Sequence, residues 1–183
     1  MKYSLLILIL FSFILMGCPY QSDVELNTYE ESLKVDKNLI DSWVAYHEDF
    51  SREELTIEKL AKSVVGIVHR EFDEKGRVKG SNKFRAYATE INAITIFNIE
   101  ANNGKYMFLK YGWTGKNEFY VQAVNSEYVE NNLKSDSLTT DELRNFFANN
   151  VNQEKLYENK LEFYRKDSPE HLKVKMFMRK SGF

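Results

Sequence analysis

One cysteine, two prolines and eight glycines occur in 183 residues. A single cysteine excludes an intrachain disulfide framework and any cysteine-cluster metal site. The glycines are scattered, so no GxGxxG or Walker-type phosphate loop is present, and no Gly-x-Ser-x-Gly nucleophile elbow either. Neither sign of charge dominates: 25 Lys and Arg face 27 Asp and Glu, a net −2. That balance lacks the basic footprint of a nucleic-acid binder, and no nucleic-acid partner is expected. With 43% apolar and 28% charged residues, the chain is one domain long and able to bury a core. No internal repeat or low-complexity tract appears. The one long apolar run, Tyr3–Met16, has fourteen residues, against about 20 needed to cross a hydrocarbon core.

What is there begins with that run. Met1-Lys2 is a short basic region, the following stretch is interrupted only by Ser4 and Ser12, and it ends Leu15-Met16-Gly17-Cys18. This is the pattern of a secretory signal. Its end resembles the bacterial lipobox, in which the cysteine is diacylglycerylated and the chain is cut before it. The resemblance implies a lipoprotein signal peptide over 1–17 and lipid attachment at Cys18, with the membrane reached through acyl chains. Two or three such chains hold a protein on a bilayer nearly permanently, at about 0.8 kcal/mol per buried methylene. Pro19 stands where inner-membrane retention signals often carry Asp, so the expected address is a bacterial cell envelope, on the periplasmic face of the outer membrane in a two-membrane host.

Residues 18–38 read as an acylated N-terminus and polar tether, and 39–183 as a single β-rich domain. Period-2 runs predict strands at 42–47, 83–91, 93–99, 106–111 and 119–124, joined by turns such as Asn103-Gly104, which suits positive φ. Residues 52–71 carry two patterns. Ser51 to Glu54 fits a capping box, and Ile57, Leu60, Ala61, Val64 and Val68 fall at helical spacing. The β-branched Val64-Val65-Gly66-Ile67-Val68 run is poor helix chemistry, and strands at 54–59 and 64–72 are the preferred reading. A helix is predicted over 139–152, with Thr140 as N-cap and Leu143, Phe146, Phe147 and Val151 on one apolar face. Alternation predicts a strand over 156–165 and, from Leu172, Val174, Met176 and Met178, a last strand near the C-terminus.

Four segments then resemble small lipocalin-like (calycin-type) bacterial lipoproteins of unassigned function. Leu39-Ile40-Asp41-Ser42-Trp43 resembles their Leu-Ile-Gly-x-Trp opening, with Asp41 in place of the usual Gly. Phe84-Arg85-Ala86-Tyr87 resembles their Phe-x-Ala-Tyr strand, Gly104–Tyr111 the strand that follows, and Thr140 to Phe147 their Ser/Thr-x-Glu-Leu-Arg helix. The resemblance implies an all-β fold with minor α: an antiparallel lipocalin-like barrel or half-barrel with one helix near 140–152.

For chemistry there is little. His47, His69 and His171 lack the His-x-x-x-His or Glu-x-x-His spacing that places ligands on one helical face, so no metal, cofactor or catalytic residue is assigned. They read as exposed or edge-strand side chains. The lone Cys is committed to lipid, which leaves acyl transfer without a nucleophile. Thirteen Phe, eleven Tyr and two Trp are the more informative content. They fill a small β core, or they line a barrel mouth that takes an apolar ligand. The expectation is a non-catalytic envelope protein that binds a small apolar ligand. An interaction module for an envelope or toxin protein, an immunity-type role included, is the rival, and a hydrolase with an unseen site a minor third.

Overall fold

In the computed structural model, residues 19–135 and 137–180 are described. The lipobox, Cys18 and the signal segment lie outside them. Nine strands follow in chain order: β1 (Gln21–Ser22), β2 (Ser42–Tyr46), β3 (Arg52–Lys59), β4 (Val64–Phe72), β5 (Val78–Ile91), β6 (Ile94–Glu100), β7 (Tyr106–Gly115), β8 (Glu118–Ala123) and β9 (Leu161–Arg165). The described helices are α1 (Ser126–Asn132) and α2 (Thr140–Asn150), both between β8 and β9, and α3 (Pro169–Lys180) after them.

From β2 to β9 each strand pairs antiparallel with the next, and β9 pairs back onto β2 through Trp43↔Arg165 and Val44↔Tyr164. The result is a closed, eight-stranded up-and-down barrel, with β1 added beside the start of β7. Closure leaves few exposed edges, which is how such barrels avoid edge-to-edge association. Alternation sorts the side chains. Trp43, Ala45, Ile57, Val65, Ala86, Ile99, Phe119 and Phe163 point inward into one core. Ile91, Ile96 and Phe108 point outward into a second, where Leu143, Phe146, Phe147 and Val151 of α2 and its end cover them. The hairpin turns are as the composition predicts, with Gly76 and Gly104 at φ of 73° and 79°.

Residues 52–71 are two strands and a turn, as preferred over the helix, because pairing on both sides turns Leu55, Ile57, Val65 and Ile67 to one interior. Several other expectations need correcting. The N-cap of α2 is Thr139, not Thr140: its hydroxyl accepts from the Glu142 N–H, and the Glu142 carboxylate accepts from the Thr139 N–H at 2.9 Å. The late strand begins at Leu161, after a 3-10 turn at Glu154–Leu156. The C-terminal segment is the helix α3. The Ser168 hydroxyl accepts the His171 N–H at 3.2 Å, and Pro169 occupies the first helical position, where its missing N–H costs nothing. A third helix, α1, is capped by Asn125, whose side chain accepts the Tyr128 N–H.

The tether reading also fails over most of its length. From Tyr20 to Val35 the chain is a strap laid over the outside of β7, β6 and β5. Leu26 is fully buried, and its N–H donates to Asn98 Oδ1 at 2.8 Å, while Asn98 Nδ2 donates to Asn27 Oδ1 at 2.9 Å. Tyr87 donates to Glu25 and packs edge-on against Tyr29. Leu33 and Val35 then bond Ala88 and Lys62 carbonyls at the rim.

Candidate barrel mouth

The strap ends by closing one end of the barrel. Beyond the rim, Val35, Leu39 and Ile40 turn into the interior, and the Lys37–Leu39 3-10 turn sits across the opening. Trp113 Nε1 donates to Asp36 at 3.0 Å, and Trp43 Nε1 donates to the Leu39 carbonyl at 2.9 Å. Trp43, Trp113, Phe119 and Phe163 pack below with ring centroids 4.7–5.8 Å apart. A small pocket of about 30 Å³ lies where the plug meets the rim, between Val35, Leu39, Val65, Phe97 and Tyr111. Burial pushes the Tyr111 hydroxyl up to about 12, so it stays protonated.

The opposite end differs. Leu55, Ile67, Phe84, Met107, Val121 and Leu161, one each from β3, β4, β5, β7, β8 and β9, face inward and are only partly buried. The barrel is therefore plugged and aromatic at one end, and towards the other its inward-facing side chains are mostly aliphatic and only partly buried. Larger clefts occur on the outside. One of about 350 Å³ lies over β3–β5 beside the Arg85–Glu100 ion pair, and one of about 420 Å³ lies between the start of the strap and the segment before α2.

On the same inward face, at the accessible end, stand three polar side chains that sequence reasoning did not bring together. His47 Nε2 is 2.9 Å from Glu53 Oε1 and His69 Nε2 is 2.8 Å from Glu53 Oε2. Leu55 pairs with His69 and Glu53 with Glu71, so Glu53 and His69 are diagonal neighbours on one face of the β3–β4 hairpin. The turn after β2, held by His47 N–H to the Ser51 carbonyl at 2.9 Å, delivers the other imidazole. Burial alone pushes the Glu53 carboxyl up. The hydrogen bonds from His47 and His69 outweigh it and hold the group at about 2, ionised. Its carboxylate in turn raises His47, chiefly through the hydrogen bond. At His69 burial lowers the value, and the bond to Glu53 reverses the direction. Both imidazoles donate Nε2–H to one shared acceptor, which clasps the turn to β4. Among the described residues no group of three or more His, Cys, Asp or Glu is arranged to hold a metal ion.

His171 is elsewhere, in the first turn of α3, and is buried. Its Nδ1 accepts the Asp167 N–H at 3.0 Å, so in the neutral ring Nε2–H donates to the Tyr46 hydroxyl, 2.9 Å away. Burial lowers its value, in keeping with a neutral imidazole. The three histidines are thus neither grouped nor simply exposed: two clasp a carboxylate and one anchors a helix. The signal for the clasp was the parity of Glu53 and His69 on neighbouring strands, which a search for helical ligand spacing does not see.

No known family model, curated protein or solved structure matches the chain significantly.

Proposed function

We propose that this chain is a membrane-anchored lipoprotein of a bacterial envelope whose lipocalin-like barrel holds a small apolar or amphipathic ligand, and that it works by binding, not catalysis. One observation carries the reading: six strands each leave an inward-facing apolar side chain partly exposed at one end of a barrel plugged at the other. An apolar wall with few polar groups at its rim suits a ligand with an aliphatic body and a polar end. Leu55, Ile67 and Leu161 would contact the body, and the His47–Glu53–His69 clasp lies where a polar end would emerge. For the anchor, support comes from the Leu15–Cys18 segment, from Cys18 being the single cysteine, and from the position of the next residue. Pro19 bridges Asn125 just beyond β8, at the accessible end of the barrel, so acyl chains on Cys18 would hold that end towards the bilayer.

Native mass spectrometry of the mature chain, purified under mild conditions from its own host, tests the ligand. The expected result is a reproducible excess of a few hundred daltons that is lost in Leu161→Lys, which puts a charge into the aliphatic wall. A bare wild-type mass accompanied by a co-purifying protein would overturn this reading in favour of the interaction module.

A further inference from the structure

Strand β5 outruns its neighbour on one side. Its register with β4 extends from Val64↔Tyr87 to Phe72↔Val78, whereas its register with β6 ends at Arg85↔Glu100. There Ala101 to Gly104 turn the chain away into β7. Over residues 78–84, no described strand lies on the β6 side of β5. The free backbone groups follow from β4. The Val64 carbonyl accepts from the Leu60 and Ala61 N–H groups, so Val64 faces β3 and Tyr87, opposite it, faces β6. Alternation carries that direction on to Arg85, Lys83 and Ser81. Arg85 meets Glu100, but the N–H and C=O of Ser81 and Lys83 point to the open side, while those of Asn82 face β4 opposite His69. Ser81, Asn82 and Lys83 are exposed. Such a row of backbone groups is a template for one more strand.

The outer face of this edge is basic. Lys83 and Arg85 share it, Arg70 stands behind Ser81 on β4, and Lys79 occupies the bulge at the end of the strand. Arg85 pairs with Glu100 across the sheet at 3.5 Å. Lys83 and Arg70 have no ion pair among the described residues, and the carboxylate opposite Arg70, Glu54, is held by Arg52 and Lys166. The outer cleft of about 350 Å³ starts over Gly66, between Leu60 and Val68, with Glu58 on its far side. It runs past Lys83 and Arg85 to Ala101 and Asn102, where a further strand would lie. A second copy of the chain does not suit the edge: antiparallel pairing of two such edges about Ser81 sets Lys79 against Lys83 twice, like charge on like. We propose that residues 78–84 of β5 take up an extended, acidic segment of a partner protein as an added antiparallel strand. Acidic side chains at alternate positions would meet Lys83 and Arg70 on the outer face, as Glu100 meets Arg85. Between them, Glu71 opposite Gly80 on the inner face disfavours acids, which sets the alternation. Neither the anchor nor the interior ligand enters into this contact.

The probe is a labelled, end-capped peptide alternating Glu with Val and Thr, titrated by fluorescence anisotropy into the whole chain in mild detergent. Binding is expected, and Ser81→Pro should weaken it by about tenfold or more, because proline removes an edge N–H that β4 does not use. Lys83→Glu with Arg70→Glu should do the same. Both changes are on the exposed edge, and unchanged Trp43 and Trp113 fluorescence checks that the fold is intact. The peptide's Glu residues are the ones whose backbone would face β5, so N-methylating their amides should abolish binding, while N-methylating the Val and Thr amides should not. On saturation, amide exchange should slow at Ser81 and Lys83 and stay unchanged at Asn82. No binding, equal binding of a peptide with Lys in place of Glu, or binding that survives methylation at Glu overturns the proposal, the last by showing attraction through charge alone. Concentration-dependent dimers that Ser81→Pro abolishes would overturn it too, by giving the edge to a second copy of the chain.

Discussion

Arg165 lays its guanidinium over the Trp43 ring, 4.6 Å from the centroid, at the junction where β9 closes the barrel onto β2. The same group donates to the Asn38 carbonyl at 3.0 Å and to Asn117 Oδ1 at 3.1 Å, and it pairs with Asp41. One side chain therefore ties the last strand, the β7–β8 turn and the plug to the ring at the bottom of that plug. Arg165→Ala should destabilise by about 2–3 kcal/mol, read as a lower urea midpoint with unchanged slope. Arg165→Lys should recover only part, since an ammonium cannot stack and fork at once. A loss below about 0.5 kcal/mol in the alanine variant would show that the plug closes without it.

The barrel was legible because its signal is local. Phe84, Ala86 and Ala88 on one parity against Arg85, Tyr87 and Thr89 on the other state which face is inside, and neighbouring hairpins repeat the statement. Where apolar residues do not mark the buried face, the reading fails. In α3 the alternation of Leu172, Val174, Met176 and Met178 imitates a strand because Leu172 and Met176 are outside, while the buried position that sets the helical face is His171. The strap fails for a different reason. Its buried Ser22 and Asn27 look like tether residues, and the group that makes Asn27 tolerable in the interior is Asn98, 71 residues away. The histidine clasp is equally non-local: His47 and His69 meet through the register of one hairpin and the turn beside it.

Asn98 gives the strap its own test. It is fully buried, accepts from Leu26 and donates to Asn27, and Asn27 continues to the Ser32 hydroxyl at 2.8 Å. Asn98→Ala leaves the Leu26 N–H and Asn27 Oδ1 without these partners, at about 2–4 kcal/mol for the pair. The expected signature is local: amide exchange should accelerate across 24–35 well before the strands β2 to β4 lose protection. Uniform acceleration over the whole barrel would mean that the strap is part of a single cooperative unit.

Cys18→Ala is the direct check on the anchor. The acyl chains require the thiol, and no second cysteine exists to take its place. In the host, the variant should lose labelling by radiolabelled or alkyne-tagged fatty acid and accumulate as precursor retaining residues 1–17. Labelling and processing that persist in Cys18→Ala would remove the lipoprotein reading and leave the barrel reading standing by itself.

The His47–Glu53–His69 clasp makes stability depend on pH in a direction that can be worked out. Glu53 is held at about 2 against an ordinary 4.5, so its contribution is present above 4.5 and is lost as pH falls through about 2. His47 and His69 are raised from 6.5, so theirs is present in full below 6.5 and fades as pH rises through the folded values. Both conditions hold between pH 4.5 and 6.5, where the clasp is strongest. His171 pulls the other way, because its lowered value favours the folded state above 6.5 and is lost as pH falls through the folded value. A comparison with Glu53→Gln cancels that contribution. At pH 5.5 the variant should be less stable by about 2 kcal/mol, the worth of hydrogen bonds to a charged acceptor. By pH 8.5 the gap should narrow markedly as both imidazoles become neutral in wild type. Urea midpoints at the two pH values decide it, and a gap that stays constant or widens with pH would show that the two histidines do not share their proton affinity with Glu53.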